Sequence, residues 1–145
     1  RLIGLPGDTI QFINGDLVIN ETIVNRMKVQ SRNLIRCGDF NIETNSFIET
    51  LPNGIKHLTV YKKKGTMQNT KKFEVPQNHF FLMGDNRDCS KDSRFLSSVG
   101  YVHKNNLVGK AQFIFFSSDR SKGSIFAIWK WNKSLRLNRF FKRIN

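Results

Sequence analysis

The segment Gly84-Asp85-Asn86-Arg87-Asp88-Cys89-Ser90-Lys91-Asp92-Ser93-Arg94 crowds carboxylates, guanidinium groups, hydroxyls, an amide and a thiol into one unbroken run. It directly follows the apolar stretch Phe80-Phe81-Leu82-Met83. Side chains of these types do chemistry in two ways. They move protons themselves, or they bond one another into a scaffold that sets the protonation state of a neighbouring group. Asp85 and Asp88 flank Arg87, and Asp92 precedes Arg94. Acid and base so close together suit the second role, because polar groups bury well only when they satisfy one another. The alternative is a surface turn, for which Asp, Asn and Ser are ordinary residues.

A second such stretch opens the chain: Arg1-Leu2-Ile3-Gly4-Leu5-Pro6-Gly7-Asp8-Thr9-Ile10. Together the two resemble conserved boxes of the type I signal peptidases. The opening stretch is similar to that family's Lys-Arg-x-x-Gly-x-Pro-Gly-Asp box. The later one is similar to its Met-x-Gly-Asp-Asn-Arg-Asp-Asn-Ser-x-Asp-Ser-Arg box. Weaker echoes lie at Asn14-Gly15, at Glu49-Thr50-Leu51-Pro52-Asn53-Gly54, at Asn69-Thr70 with Val75-Pro76, and at Asn106-Leu107-Val108-Gly109-Lys110-Ala111. The resemblance thus extends from residue 1 to about residue 118, and the two boxes in this order and at this spacing make it specific.

The resemblance implies a serine endopeptidase that removes signal peptides from exported preproteins. The expected location is the bacterial inner membrane, with the catalytic domain on the periplasmic side. Its chemistry pairs a serine nucleophile with a lysine general base. Lysine has an ordinary pKa near 10.4, so the protein must desolvate the amine and orient it with a hydroxyl. Carried over position by position, Ser90 is the serine whose hydroxyl bonds the lysine nitrogen. Gly84 lies where a side chain would crowd that amine. Asp85 stands near the basic residue after the lysine, here Arg1, and Asp92 with Arg94 forms a structural ion pair. Gly4, Pro6, Gly7, Asp8, Asn86, Arg87 and Asp88 complete the turn scaffold. For Asp88 and Ser93, ordinary loop stabilisation is the preferred role. No cofactor or metal is implied.

By the same resemblance the lysine would stand directly before Arg1 and the serine further upstream, after a membrane anchor. Neither position falls within this sequence. The chain is therefore expected to be the carboxy-terminal part of such an enzyme and not to cleave peptides alone. Two departures bear on the second box. Cys89 stands where the family usually has Asn, which puts one loop contact in doubt. The stretch Phe95-Leu96-Ser97-Ser98-Val99-Gly100 is longer than the aromatic-Gly step that usually follows the final Arg. Two other classes remain open: a self-cleaving serine-lysine repressor domain, and a decayed, non-catalytic basic module that docks on anionic lipid.

The 145 residues suffice for one core, and 39% apolar content with 13 Phe supports one. No run approaches the roughly 18 to 20 apolar residues of a membrane span. A net charge of +13 points to an anionic partner. Nucleic acid is disfavoured, because the aromatics are mostly Phe within apolar runs rather than an exposed stacking platform. An anionic membrane surface remains. Cys37 and Cys89 can form one disulfide or remain two thiols. His57, His79 and His103 lack ligand spacing and read as structural or exposed.

Those groups must be positioned by a mostly β fold, expected to be a signal-peptidase-like antiparallel sheet or partly open barrel. Asn14-Gly15-Asp16 between Thr9–Ile13 and Leu17–Ile19 signals a hairpin. Pro52-Asn53-Gly54 signals a second, between Phe47–Leu51 and Lys56–Tyr61. Short strands are expected at Phe73–Val75 and His79–Met83, and a buried strand at Ala111–Phe116. The stretch Glu21–Asn45 reads as polar and irregular, and Lys62–Lys72 as a basic loop. The domains are expected to be residues 1–123 (β-rich) and 124–145 (tail). In the tail Ile128, Trp131, Leu135, Leu137, Phe140, Phe141 and Ile144 recur at helical spacing among basic residues only. That pattern suits a short basic amphipathic helix, lying on a membrane interface or packed on the sheet.

Overall fold

The computed structural model describes residues 1–62, 68–119, 122–124 and 126–144. The chain forms two compact units, Arg1–Leu107 and Val108–Asn145. The first is built from ten strands: β1 (Leu2–Gly4), β2 (Thr9–Ile13), β3 (Asp16–Ile19), β4 (Thr22–Ile23), β5 (Asn25–Cys37), β6 (Phe40–Thr50), β7 (Lys56–Lys62), β8 (Phe73–Glu74), β9 (His79–Leu82) and β10 (Val102–His103). They pair antiparallel in three sheets, ordered β1-β9-β10, β4-β3-β2-β8 and β5-β6-β7. The fold is thus mostly β and antiparallel, with no closed barrel among the described residues.

Local chemistry accounts for the turns. Asn14 and Gly15 both adopt positive φ, 51° and 83°, which a two-residue hairpin turn demands. The β6–β7 turn likewise contains Gly54 at φ 80°. Alternation along β2 sends Ile10 and Phe12 inward, where they meet Leu17, Ile19, Phe73, Phe81 and Met83 in the core.

Two expectations require correction. Glu21–Asn45 is not irregular: β5 and β6 pair from Asn25↔Thr50 to Cys37↔Phe40 as a long hairpin. Its register supplies what apolar periodicity did not. Gly38 at φ 63° with Asp39 forms the two-residue turn, a hairpin signal present in the sequence. The second correction concerns Ala111–Phe116, which is neither a strand nor buried. Phe113 makes one isolated bridge, to Arg143, and Phe113, Phe115 and Phe116 are exposed. A unit of fewer than about 40 residues has too little volume to enclose so many aromatic rings.

The second unit does contain a short helix, Trp131–Ser134, with Lys133 in its only turn. Three-residue 3-10 turns at Ile128–Lys130 and Leu137–Arg139 flank it. The longer stripe expected from helical spacing is therefore not one continuous helix, since Leu135 and Phe140 are extended. Part of the Lys62–Lys72 loop lies outside the described residues. Lys72 itself pairs with Glu21 at 3.4 Å.

Candidate functional site

The opening box folds as a strand and a tight turn. Asp8 Oδ2 accepts from the Leu5 amide at 2.7 Å, and its Oδ1 accepts from Asn20 Nδ2 at 2.8 Å. Pro6 fixes the turn, and Gly7 at φ 89° donates its amide to Val75 O at 2.8 Å. Gly4 permits close packing: a Cβ there would lie 3.0 Å from Ile10 Cδ1 and 3.1 Å from Phe81 Cβ.

β1 brings this box against the second. Leu2 pairs with Leu82, the Arg1 α-amine donates to Met83 O at 2.6 Å, and Met83 N donates back to Arg1 O at 2.8 Å. Arg1 Nε donates to Asp85 Oδ1 at 2.8 Å. Burial holds the Arg1 α-amine below its ordinary value, although the Asp85 charge opposes this. The start of the chain thus sits in a partly dried niche beside Met83, Gly84 and Asp85.

The second box is bonded internally and to both flanking sheets. Arg94 grips Asp92 through two parallel bonds, Nε to Oδ1 and Nη2 to Oδ2, each 2.7 Å. Asp92 Oδ2 also accepts from the Gly84 amide at 3.0 Å. Burial raises the Asp92 carboxyl, but the bonds from Arg94 and Gly84 and the Arg94 charge outweigh it and hold the group below the ordinary carboxylate value. Ser93 Oγ accepts from Leu82 N at 2.9 Å, and Ser93 N donates to Leu82 O at 3.0 Å. On the other side Val60 N donates to Asp85 O and Arg87 N to Val60 O, both at 2.9 Å, so the box extends the edge of β7. Asp88 Oδ2 accepts from Lys62 N. The amides of Ser98, Val99 and Gly100 converge on Phe95 O, closing the longer stretch as a turn with Gly100 at φ 57°.

Gly84 and Ser90 face each other closely. A Cβ on Gly84 would fall 2.1 Å from Ser90 Oγ and 2.4 Å from Ser90 Cβ, so any side chain there must displace Ser90. Ser90 N donates to Asn86 O at 3.0 Å and Cys89 N to Asn86 Oδ1 at 3.2 Å. The structure thus brings together Arg1 with Asp85, Gly84 with Ser90, and Asp92 with Arg94. Cys89 contributes through sulfur: it is disulfide-bonded to Cys37, with Cα atoms 5.6 Å apart.

Sequence reasoning missed the partners of Arg87. Its Nη1 donates to Glu49 Oε1 at 2.9 Å and to Tyr61 OH at 3.0 Å, and its Nη2 pairs with Glu49 Oε2. His57 Nε2 lies 3.2 Å from the same carboxylate without hydrogen-bond geometry. All four groups are buried. Burial pushes the Tyr61 hydroxyl up and the His57 ring below its ordinary value. A signal existed: Phe47, Glu49 and Leu51 share one face by strand alternation, which puts an acid among apolar neighbours.

A family model described as "Signal peptidase, peptidase S26" matches residues 1–116. The chain belongs to the signal peptidase S26 family. It is similar to signal peptidase I of Rickettsia typhi (40% identical, over 99% of this chain and 58% of the relative). The corresponding Rickettsia prowazekii protein is 39% identical and that of Rickettsia conorii 37%, with the same coverage. The chain therefore spans 58% of the length of these curated S26 relatives. Among the described residues no helix is long and apolar enough to cross a membrane.

Proposed function

We propose that residues 1–116 form the base-supporting half of a signal peptidase active site, in a serine endopeptidase that removes signal peptides from preproteins. The contact between Gly84 and Ser90, next to the part-buried backbone nitrogen of Arg1, carries this reading. A lysine joined to the Arg1 nitrogen would start from that niche. The Ser90 hydroxyl makes no hydrogen bond among the described residues and so can orient an incoming amine. Glycine at position 84 leaves room for the amine, and the Asp92–Arg94 pair fixes both sides of the loop without exposing it to water. A dry amine loses its proton near neutral pH and can take the proton of a serine hydroxyl as that oxygen attacks the scissile carbonyl.

In this reading Arg1, Asp85, Asp92 and Arg94 position the base, while nucleophile and base come from outside residues 1–145. The purified 145-residue chain is then inactive on a signal-peptide substrate, and the full-length protein is active. Turnover by the chain alone overturns this division of labour. Substitution Ser90→Ala in the full-length protein is expected to shift the acid limb of kcat/KM to higher pH; an unmoved limb contradicts the role of Ser90.

The proposed setting is the extracytoplasmic face of a bacterial inner membrane, with the 124–145 tail on anionic lipid. Phe126, Trp129 and Phe141 are exposed beside Lys130, Lys133 and Arg139, and no acid follows Asp119. Co-sedimentation with anionic vesicles that fails at low salt counts against the lipid contact.

A further inference from the structure

We propose that the Cys37–Cys89 disulfide is the positioning bond for Ser90, an assignment that rests on the reading of Ser90 given above. The box is fixed at both ends. Asp85, Arg87 and Asp88 are tied to β7 through Val60 and Lys62, and Asp92 and Ser93 are tied to Gly84 and Leu82. Between these anchors lies Cys89-Ser90-Lys91. Its two amide bonds both go to Asn86, within the same loop, and Lys91 is exposed. Asn86 lies between Asp85 and Arg87, which both bond Val60, so these two bonds hang the segment from the β7 edge on its Asn86 side only. The disulfide is the described link from this middle segment to another element: it joins the residue before Ser90 to the end of β5, 52 residues away.

That link closes a ring. From Cys37 the chain turns through Gly38-Asp39 into β6, β6 pairs with β7, and Val60 of β7 pairs with Asn86. Cys89 is thus held from the hairpin tip while Asn86 is held from the edge of the same sheet. Ser90, next in sequence, stands against Gly84, where an added Cβ would fall 2.1 Å from the Ser90 Oγ. A displacement of order 1 Å at a positioned group can cost about 100-fold in rate, so a covalent clamp at this residue has a kinetic consequence beyond stability.

The test compares the oxidised full-length protein with the same protein treated with a dithiol, and with the double variant C37S/C89S. The dithiol supplies two electrons and two protons and ends as a cyclic disulfide, leaving Cys37 and Cys89 as thiols. On a signal-peptide substrate, loss of the clamp is expected to lower kcat about tenfold. It should also move the acid limb of the pH profile upward and change KM less than about twofold. Ser90→Ala is run alongside. A moved limb in Ser90→Ala with an unmoved limb after reduction overturns the clamp alone. An unmoved limb in Ser90→Ala overturns the reading of Ser90 beneath it. Should the double variant not fold, amide hydrogen exchange on the 145-residue chain decides. Reduction is expected to speed exchange at Cys89 and Ser90 at least tenfold while leaving Ile10 and Phe12 unchanged. Equal exchange in the two forms, or two titratable thiols in the unreduced chain, overturns the proposal.

Discussion

The Gly84–Arg94 box and the Val108–Asn145 unit invert the usual relation between polarity and burial. In the box Arg87 is 2% exposed, Asp92 5% and Arg94 6%. In the second unit Phe126 is 90% exposed, Phe115 80% and Trp129 76%. The charged groups can leave water because each meets a partner of fixed geometry: Arg94 a bidentate carboxylate, Arg87 a carboxylate and a phenol. The rings stay out because a short segment offers them few neighbours. Phe115 meets Phe141 and Phe116 meets Trp131 and Phe140, at centroid distances of 5.6 to 6.5 Å, and no enclosed layer forms among the described residues. Burial here follows the supply of partners more closely than the hydrophobicity of the side chain.

Removing a partner from the box should break the contrast most sharply. Glu49→Ala leaves Arg87 charged and buried, and is expected to cost about 3–5 kcal/mol in a urea unfolding titration. A loss below about 1 kcal/mol would mean that water reaches the guanidinium. Next in size is Gly84→Ala, which forces Ser90 away and should cost about 1–3 kcal/mol, seen as a lower melting temperature.

The pH dependence comes next. The buried His57 ring binds a proton less readily than in the unfolded chain, whose histidines titrate near 6.5. As pH falls below that value the unfolded state takes up the proton first, so stability drops toward acid and is complete above pH 6.5. Comparing unfolding at pH 7.5 and 5.5 should show a smaller drop for His57→Gln than for the parent. The smallest effect is expected in the tail, where Phe126→Ser should change stability by no more than about 0.5 kcal/mol. A larger loss would mean that Phe126 is covered in solution.

How much of this was legible in the sequence depended on how local the cause was. Asn14-Gly15 and Pro52-Asn53-Gly54 gave their hairpins away, because positive φ is a property of the residues themselves. The composition of the two boxes marked where the polar cluster lies. The β5–β6 hairpin escaped because its apolar alternation is brief: Met27 and Val29 stand between Arg26, Lys28 and Gln30, and the polar run Ser31-Arg32-Asn33 then interrupts it, so the strands are held by their pairing across Gly38-Asp39. Glu49 escaped because its partner Arg87 is 38 residues away. Ala111–Phe116 misled in the opposite direction. An apolar run of strand length needs a neighbouring strand, and among the described residues its own unit supplies one bridge to it, at Phe113. The pairing of Cys37 with Cys89 depended on a long-range approach that the residue types do not encode.

The cradle itself can be titrated. With Ala-Lys appended ahead of Arg1, the lysine amine can be followed by NMR from pH 6 to 12 in the parent and in Ser90→Ala. If the niche formed by Met83, Gly84 and Ser90 keeps an amine dry, its pKa should fall by more than about one unit below the ordinary value near 10.4, and the Ser90→Ala chain should differ from the parent. An amine that titrates at the ordinary value in both chains would contradict the account.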